Sequence, residues 1–152
     1  MAVRALEPRD VDAVLAIQAA SPEIAQWSRA DYERVEAGEM AGWVAERISD
    51  EGARAPVVVG FLVARNIPPE VEILNLAVVP SARQHGVGSA LFDAAIAWAR
   101  SVGATQCMLE VRAANDVALR LYHRRNFQVV GRRPRYYANP VDDALLLTVS
   151  LK

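Results

Sequence analysis

Cysteine is nearly absent. Cys107 stands alone in 152 residues, so no disulfide can form within the chain. Its setting, Gln106-Cys107-Met108-Leu109, suits a small core residue better than a nucleophile. Histidine is almost as scarce: His85 and His123 lie far apart, and with a single Cys they leave no metal site visible. No charge of one sign predominates. Seventeen Lys and Arg against eighteen Asp and Glu give a formal charge of -1, which argues against broad attraction to nucleic acid or an anionic membrane. No apolar run reaches the roughly 20 residues that a membrane span requires. The opening Met1-Ala2-Val3-Arg4-Ala5-Leu6-Glu7 lacks a hydrophobic signal region, so a cytoplasmic protein is expected. Repeats, linkers and low-complexity segments are also missing. What remains is a domain-sized chain with an apolar fraction of 53%, which predicts one domain over residues 1–152 with a substantial core.

The periodicities divide the chain into two halves. Val3 to Leu6 reads as a short strand, and Pro8 opens a helix carrying Val11, Val14, Leu15 and Gln18. Ser28 caps a second helix through Tyr32 and Val35, with Asp31 as its capping partner and Gly38 as its end. Trp43–Glu46, Val57–Ala64 and Val71–Val79 are strands of an antiparallel meander, separated by Ser49-Asp50-Glu51-Gly52 and by Pro68-Pro69. After Pro80 the pattern changes. A glycine-bearing loop leads into an amphipathic helix with Val87, Leu91, Ala94, Ala95, Trp98 and Val102, stopped by Gly103. Gln106–Val111 is a strand, Asn115 caps a helix with Val117, Leu119, Leu121 and Tyr122, and Phe127–Gly131 is another strand. This alternation implies local parallel pairing. Arg132–Asp143 reads as a long ordered loop, and Ala144–Leu151 as the final strand.

Arg83-Gln84-His85-Gly86-Val87-Gly88-Ser89 lies between a strand and a helix, where the first-turn N–H groups lack partners and attract anions. Gly86 and Gly88 remove the Cβ atoms that would hold a pyrophosphate off the backbone, while Arg83 and His85 can add positive charge. A nucleotide P-loop is excluded because no Lys-Ser/Thr follows the second glycine, and a dinucleotide fingerprint lacks its third glycine. Glycines at such a turn often serve only tight packing.

The loop matches Arg/Gln-x-x-Gly-x-Gly/Ala, and Leu74-Asn75-Leu76-Ala77-Val78-Val79-Pro80 precedes it. Further on come Leu109-Glu110-Val111-Arg112-Ala113-Ala114-Asn115, Ala118-Leu119-Arg120-Leu121-Tyr122, Phe127, Gly131-Arg132-Arg133-Pro134-Arg135-Tyr136-Tyr137 and Asp142-Asp143-Ala144-Leu145-Leu146-Leu147. From Leu74 to Leu147 the chain thus resembles the GNAT superfamily of acetyltransferases, and within it the RimI-type ribosomal-protein alanine N-acetyltransferases. Gln26-Trp27-Ser28 resembles the family's Pro-Trp-Ser, with Gln26 in place of the proline. Asn126 replaces a glycine of the family's Leu-Gly-Phe turn, a left-handed position that Asn tolerates.

The resemblance implies an α/β (α+β) fold: a mixed, mostly antiparallel sheet whose fourth and fifth strands splay into a V, flanked by about four helices, with acetyl-coenzyme A as co-substrate in the V and no metal. It also implies that the backbone at Leu76, Ala77 and Val78 holds the acetyl-pantetheine arm, Gln84 to Ser89 the pyrophosphate, and Asn115 the pantetheine region. Glu110 would then be the general base, acting directly or through water, with partial burial raising its pKa into a useful range. Tyr122 would be the acid that protonates the leaving thiolate, and donors around Val78 would stabilise the oxyanion. Without the resemblance, a Glu at a strand end is usually solvated and a Tyr on an apolar helix face usually packs. Tyr136 and Tyr137 are expected at the acceptor entrance with Trp27, while Asp142, Asp143, Glu33 and Glu36 would meet a basic peptide. The implied acceptor is a protein or peptide N-terminus, with the alanine end of a small-subunit ribosomal protein foremost. A small-molecule amine and a non-catalytic coenzyme A-sensing module are the competing readings.

Overall fold

A computed structural model describes residues 1–36, 40–48 and 55–152. Among them run β1 (Ala2–Ala5), α1 (Val11–Ala19), α2 (Arg29–Glu33), β2 (Met40–Arg47), β3 (Val57–Ile67), β4 (Glu70–Val78), α3 (Val87–Ser101), β5 (Gln106–Arg112), α4 (Asp116–Arg124), β6 (Gln128–Tyr137) and β7 (Asp142–Ser150). The helix boundaries follow their local chemistry. Pro8 begins a 3-10 turn ahead of α1. The Ser28 hydroxyl accepts from the Asp31 N–H at 3.2 Å, and the Asp31 carboxylate accepts from the Ser28 N–H at 2.9 Å. Asn115 accepts from the Ala118 N–H at 3.1 Å, so α4 starts where its cap stands. Gly103 (φ +83°) and Asn126 (φ +67°) end α3 and α4 in left-handed conformation. Gly38 as a helix end and the turn Ser49-Asp50-Glu51-Gly52 lie outside the described residues.

The strands form one mixed sheet in the order β1-β2-β3-β4-β5-β7-β6, antiparallel everywhere except between β4 and β5. One face packs against α3 through Leu91, Phe92, Ala95 and Ala99, together with the buried Cys107 of β5. The other packs against α1 and α2, where Val14, Ile17 and Tyr32 cover Phe61 and Val63. Fully burying such a side chain contributes about 1.5–3 kcal/mol.

Two expectations need correction. Parallel pairing is confined to β4 and β5, because β7 inserts between β5 and β6 and runs antiparallel to both. Its central Leu145-Leu146-Leu147 has apolar side chains for both faces, which suits an interior strand. Nor is Arg132–Asp143 one long loop: Arg132 and Arg133 continue β6, facing Leu145 and Ala144. The register breaks between Val129 and Gly131 and again between Arg133 and Tyr137, where Pro134 has no N–H to donate and Arg135 takes φ +53°. As the edge strand, β6 tolerates that irregularity.

β4 and β5 pair from Glu70 opposite Gln106 to Ile73 opposite Leu109, and no further. On the other side of β4, Val63 faces Asn75 while Ala64 faces Ile73, so Leu74 is the extra residue of a bulge. A bulge bends and twists its strand. The divergence begins at this residue, leaving residues 74–78 and 110–112 as the two edges of a V whose inward backbone groups have no strand partner.

Candidate active site

The V opens into a cavity of about 1220 Å³, above the roughly 300–1,000 Å³ typical of small-molecule sites. Its wall includes Leu76, Ala77 and Val78 of β4, Arg83, Gln84, Gly86, Val87, Gly88 and Ser89 of the loop and first turn of α3, and Asn115. His85 is exposed and outside this wall. Gln84 (φ +65°) and Gly86 (φ +81°) both adopt left-handed conformation, turning the chain sharply into α3. No side chain caps α3, so the N–H groups of its first turn are free to meet an anion. A Cβ on Gly88 would come within 3.4 Å of Leu121 Cδ2, which brings α4 against this loop. Arg83 is already engaged: its Nε donates to the Val78 carbonyl at 3.0 Å, and its Nη2 lies 3.6 Å from Glu23 Oε1.

Deeper in the slot, Glu110 projects from β5 just after the parallel pairing ends, with its side chain 25% exposed. Arg133 of β6 approaches it at 3.6 Å. Tyr122 of α4 lies in the same wall, its ring packed against Phe92 and Phe127 with centroids 6.0 and 5.6 Å away. Burial pushes the Tyr122 phenol well above its ordinary value, and nearby Cys107 adds to the effect. The hydroxyl therefore keeps its proton at neutral pH, the form in which it can donate.

Tyr136 and Tyr137 meet edge to face at 5.1 Å, and both line the cavity. The Arg112 guanidinium sits 4.3 Å over the Tyr137 ring. Burial, then the Glu110 charge, raises the Tyr137 phenol above its ordinary range. Trp27 is not brought to this wall; its ring packs on Tyr32 at 5.1 Å, and Glu23, Ile24 and Ala25 line the cavity instead. Asp142 and Asp143 already hold partners within the chain. Asp142 accepts from the Ala114 N–H at 3.0 Å, and Asp143 accepts from the Arg135 N–H at 2.8 Å and pairs with Arg132 at 2.6 Å. These contacts fasten β6 and the start of α4, and they hold the Asp143 carboxyl below its usual range.

A buried polar network that sequence reasoning missed fixes the loop from Glu23 to Trp27. Gln18 bonds both backbone groups of Trp27, donating to its carbonyl at 2.8 Å and accepting from its N–H at 2.9 Å. The Tyr32 hydroxyl donates to Gln18 at 2.5 Å, while Asn75 Nδ2 donates to the Tyr32 oxygen and the Ala25 carbonyl, each at 3.0 Å. Asn75 also lines the cavity, so one side chain ties β4 to the loop between α1 and α2. Only Leu74-Asn75-Leu76, a polar residue amid an apolar strand, hinted at it.

The Acetyltransferase (GNAT) family profile matches residues 11–127. A putative ribosomal protein bS18-alanine N-acetyltransferase of Bacillus subtilis is 28% identical over 151 residues, 99% of this chain and 95% of that protein. An uncharacterised Mycobacterium leprae protein is 32% identical over 125 residues, 80% of this chain; the match spans only 32% of that longer protein. The crystal structure of Arabidopsis thaliana NAA60 in complex with acetyl-CoA superposes with a TM-score of 0.84 at 22% identity, covering 98% of this chain and 97% of that one. The splayed strands, the glycine loop at the head of α3 and these similarities together show that the chain belongs to the GNAT acetyltransferase family.

Proposed function

We propose that this acetyltransferase moves the acetyl group of acetyl-coenzyme A to the α-amine of a protein N-terminus, with the N-terminal alanine of a small-subunit ribosomal protein as the leading acceptor. The observation that carries the reading is the convergence of one carboxylate, Glu110, and one buried phenol, Tyr122, on a slot edged by unpaired strand backbone. Similarity along almost the whole length of the Bacillus subtilis protein supports the acceptor class.

The residues present fit acetyl-coenzyme A. The uncapped first turn of α3, with Gly86 and Gly88 leaving the backbone open, suits a diphosphate. The free edge at Leu76, Ala77 and Val78 suits the amides of a pantetheine arm, with Asn115 beside it. Bound there, acetyl-coenzyme A supplies an activated acyl thioester.

An α-amine has a pKa of about 7.7–8.0 and is mostly an ammonium at neutral pH. Glu110, partly exposed, takes its proton, with a water as relay where the amine does not reach the carboxylate. The nitrogen lone pair is then free to form the C–N bond. Donors at Val78 stabilise the carbonyl oxygen as charge gathers on it. As the C–S bond breaks, Tyr122 gives its hydroxyl proton to the sulfur, and the nitrogen, which still carries one surplus proton after the attack, releases it to water as the amide forms; Tyr122 regains a proton from solvent. Tyr136 and Tyr137 line the acceptor's path, and Trp27 supports it from behind through Tyr32.

The test is thioester consumption with a peptide copying the Ala-start terminus of the ribosomal protein, compared with the same peptide blocked at its α-amine. Turnover of the free peptide alone, lost in Glu110→Gln, is expected. Turnover of the blocked peptide, or of small amines only, would remove the N-terminal reading.

A further inference from the structure

Four arginines line the cavity: Arg83, Arg112, Arg120 and Arg124. Two have partners, Arg83 on the Val78 carbonyl and Glu23, and Arg112 on the Pro140 carbonyl and the Tyr137 ring. Among the described residues, Arg120 and Arg124 have no carboxylate within 4.0 Å. Four residues apart on α4, they share one helix face, where like charges repel. An anion between them would turn that repulsion into attraction.

Their place in the fold says which anion. Leu121, between them in sequence, packs toward Gly88 of the glycine loop. Arg125 fastens the end of α4 to the start of α3, donating to the Ser89 carbonyl at 2.8 Å and pairing with Asp93. Arg120 and Arg124 thus line the same cavity as the glycine turn, on a helix that this turn and the start of α3 hold in place. The free N–H groups of that turn account for a diphosphate and for nothing more. Coenzyme A carries one further anion, the phosphomonoester on its ribose.

We propose that Arg120 and Arg124 form an outer subsite for this ribose phosphate, so that the protein distinguishes coenzyme A from dephospho-coenzyme A; the inference rests on the acetyl-coenzyme A reading above. Guanidinium forks match phosphate oxygens two at a time, and they hold a dianion better than a single amide donor does. Because both side chains are exposed, the discrimination weakens as salt rises.

Calorimetric titration with coenzyme A and with dephospho-coenzyme A tests this on the wild type, on Arg120→Gln/Arg124→Gln and on the charge-keeping Arg120→Lys/Arg124→Lys. The wild type should favour coenzyme A by about tenfold or more at low salt, the scale of one or two charge-assisted hydrogen bonds. The double Gln variant should bring the ratio near one while its affinity for dephospho-coenzyme A stays at the wild-type value, and the Lys variant should keep part of the preference. Equal wild-type affinities, or a Gln variant that weakens both ligands alike, would overturn the subsite and leave the two arginines as solvated charges. A wild type that binds neither nucleotide would instead overturn the cofactor reading, and the subsite with it.

Discussion

Where β4, the glycine loop and the start of α3 border the slot, the wall offers backbone: a glycine turn, an uncapped helix start and an open strand edge. Where β6 and the loop between α1 and α2 border it, side chains do the holding: Asn75 with the Ala25 carbonyl and with Tyr32 behind it on one flank, and Arg112 with Tyr137 on the other. The first side needs only contiguous residues in the right order. The second needs partners distant in sequence to meet. A backbone wall serves a ligand that is always the same, whereas a side-chain wall can be altered one residue at a time to suit a different acceptor.

Substitutions on the two walls should therefore separate. The largest effect is expected at the chemistry between them: Glu110→Gln should lower kcat by about 10²–10⁴, the usual contribution of a general base, with coenzyme A affinity unchanged by calorimetry. Tyr122→Phe keeps the ring among Phe92 and Phe127 and removes only the proton donor. Steady-state kinetics should show kcat down by about 10²-fold, with both KM values near wild type. A rise in KM with kcat unchanged for either residue would place it with the walls instead.

On the side-chain wall, Asn75→Ala leaves the Ala25 carbonyl and the Tyr32 hydroxyl without their donor. Losing a buried partner costs about 1–3 kcal/mol, so denaturant melts should shift, and acceptor KM should rise while acetyl-coenzyme A KM holds. Gly86→Ala on the backbone wall should do the reverse. It forces a side chain into the left-handed region at φ +81°, a strain of about 1–2 kcal/mol, and should raise the acetyl-coenzyme A KM while sparing the acceptor's. If both variants moved the same KM, the division between the walls would be false.

Legibility followed the same division. Caps at Ser28 and Asn115 and the left-handed ends at Gly103 and Asn126 could be read because each depends on neighbours a few residues away. The glycine loop could be read for the same reason. The order of β7 and β6 could not, since it depends on which strand is apolar enough on both faces to sit inside the sheet. Arg83 shows the limit most clearly. Its position in the loop suggested a phosphate ligand, yet its side chain turns back to Val78 and Glu23, while two arginines of α4 in the same wall have no carboxylate partner among the described residues. The link between Asn75 and Ala25 joins residues 50 apart, so the polar Asn75 in an apolar strand could be noticed but its partner could not.

The smallest effect concerns Cys107, in the core behind both walls. Burial raises its thiol from 9.0 to about 12. A group whose folded pKa is raised adds stability that is complete below its unfolded value and lost as pH climbs through the folded one. Denaturant midpoints should therefore fall between about pH 9 and 12, less steeply in Cys107→Ala, and the native thiol should resist aromatic disulfide reagents.

Acetylation at an α-amine, rather than at a lysine side chain, can be read from tandem mass spectrometry of one product. The substrate is an Ala-start peptide that also carries an internal lysine, incubated with the protein and acetyl-coenzyme A. A single acetyl group on the α-nitrogen of the alanine is expected; acetylation of the lysine side chain, with the N-terminus left free, would rule out the N-terminal acceptor.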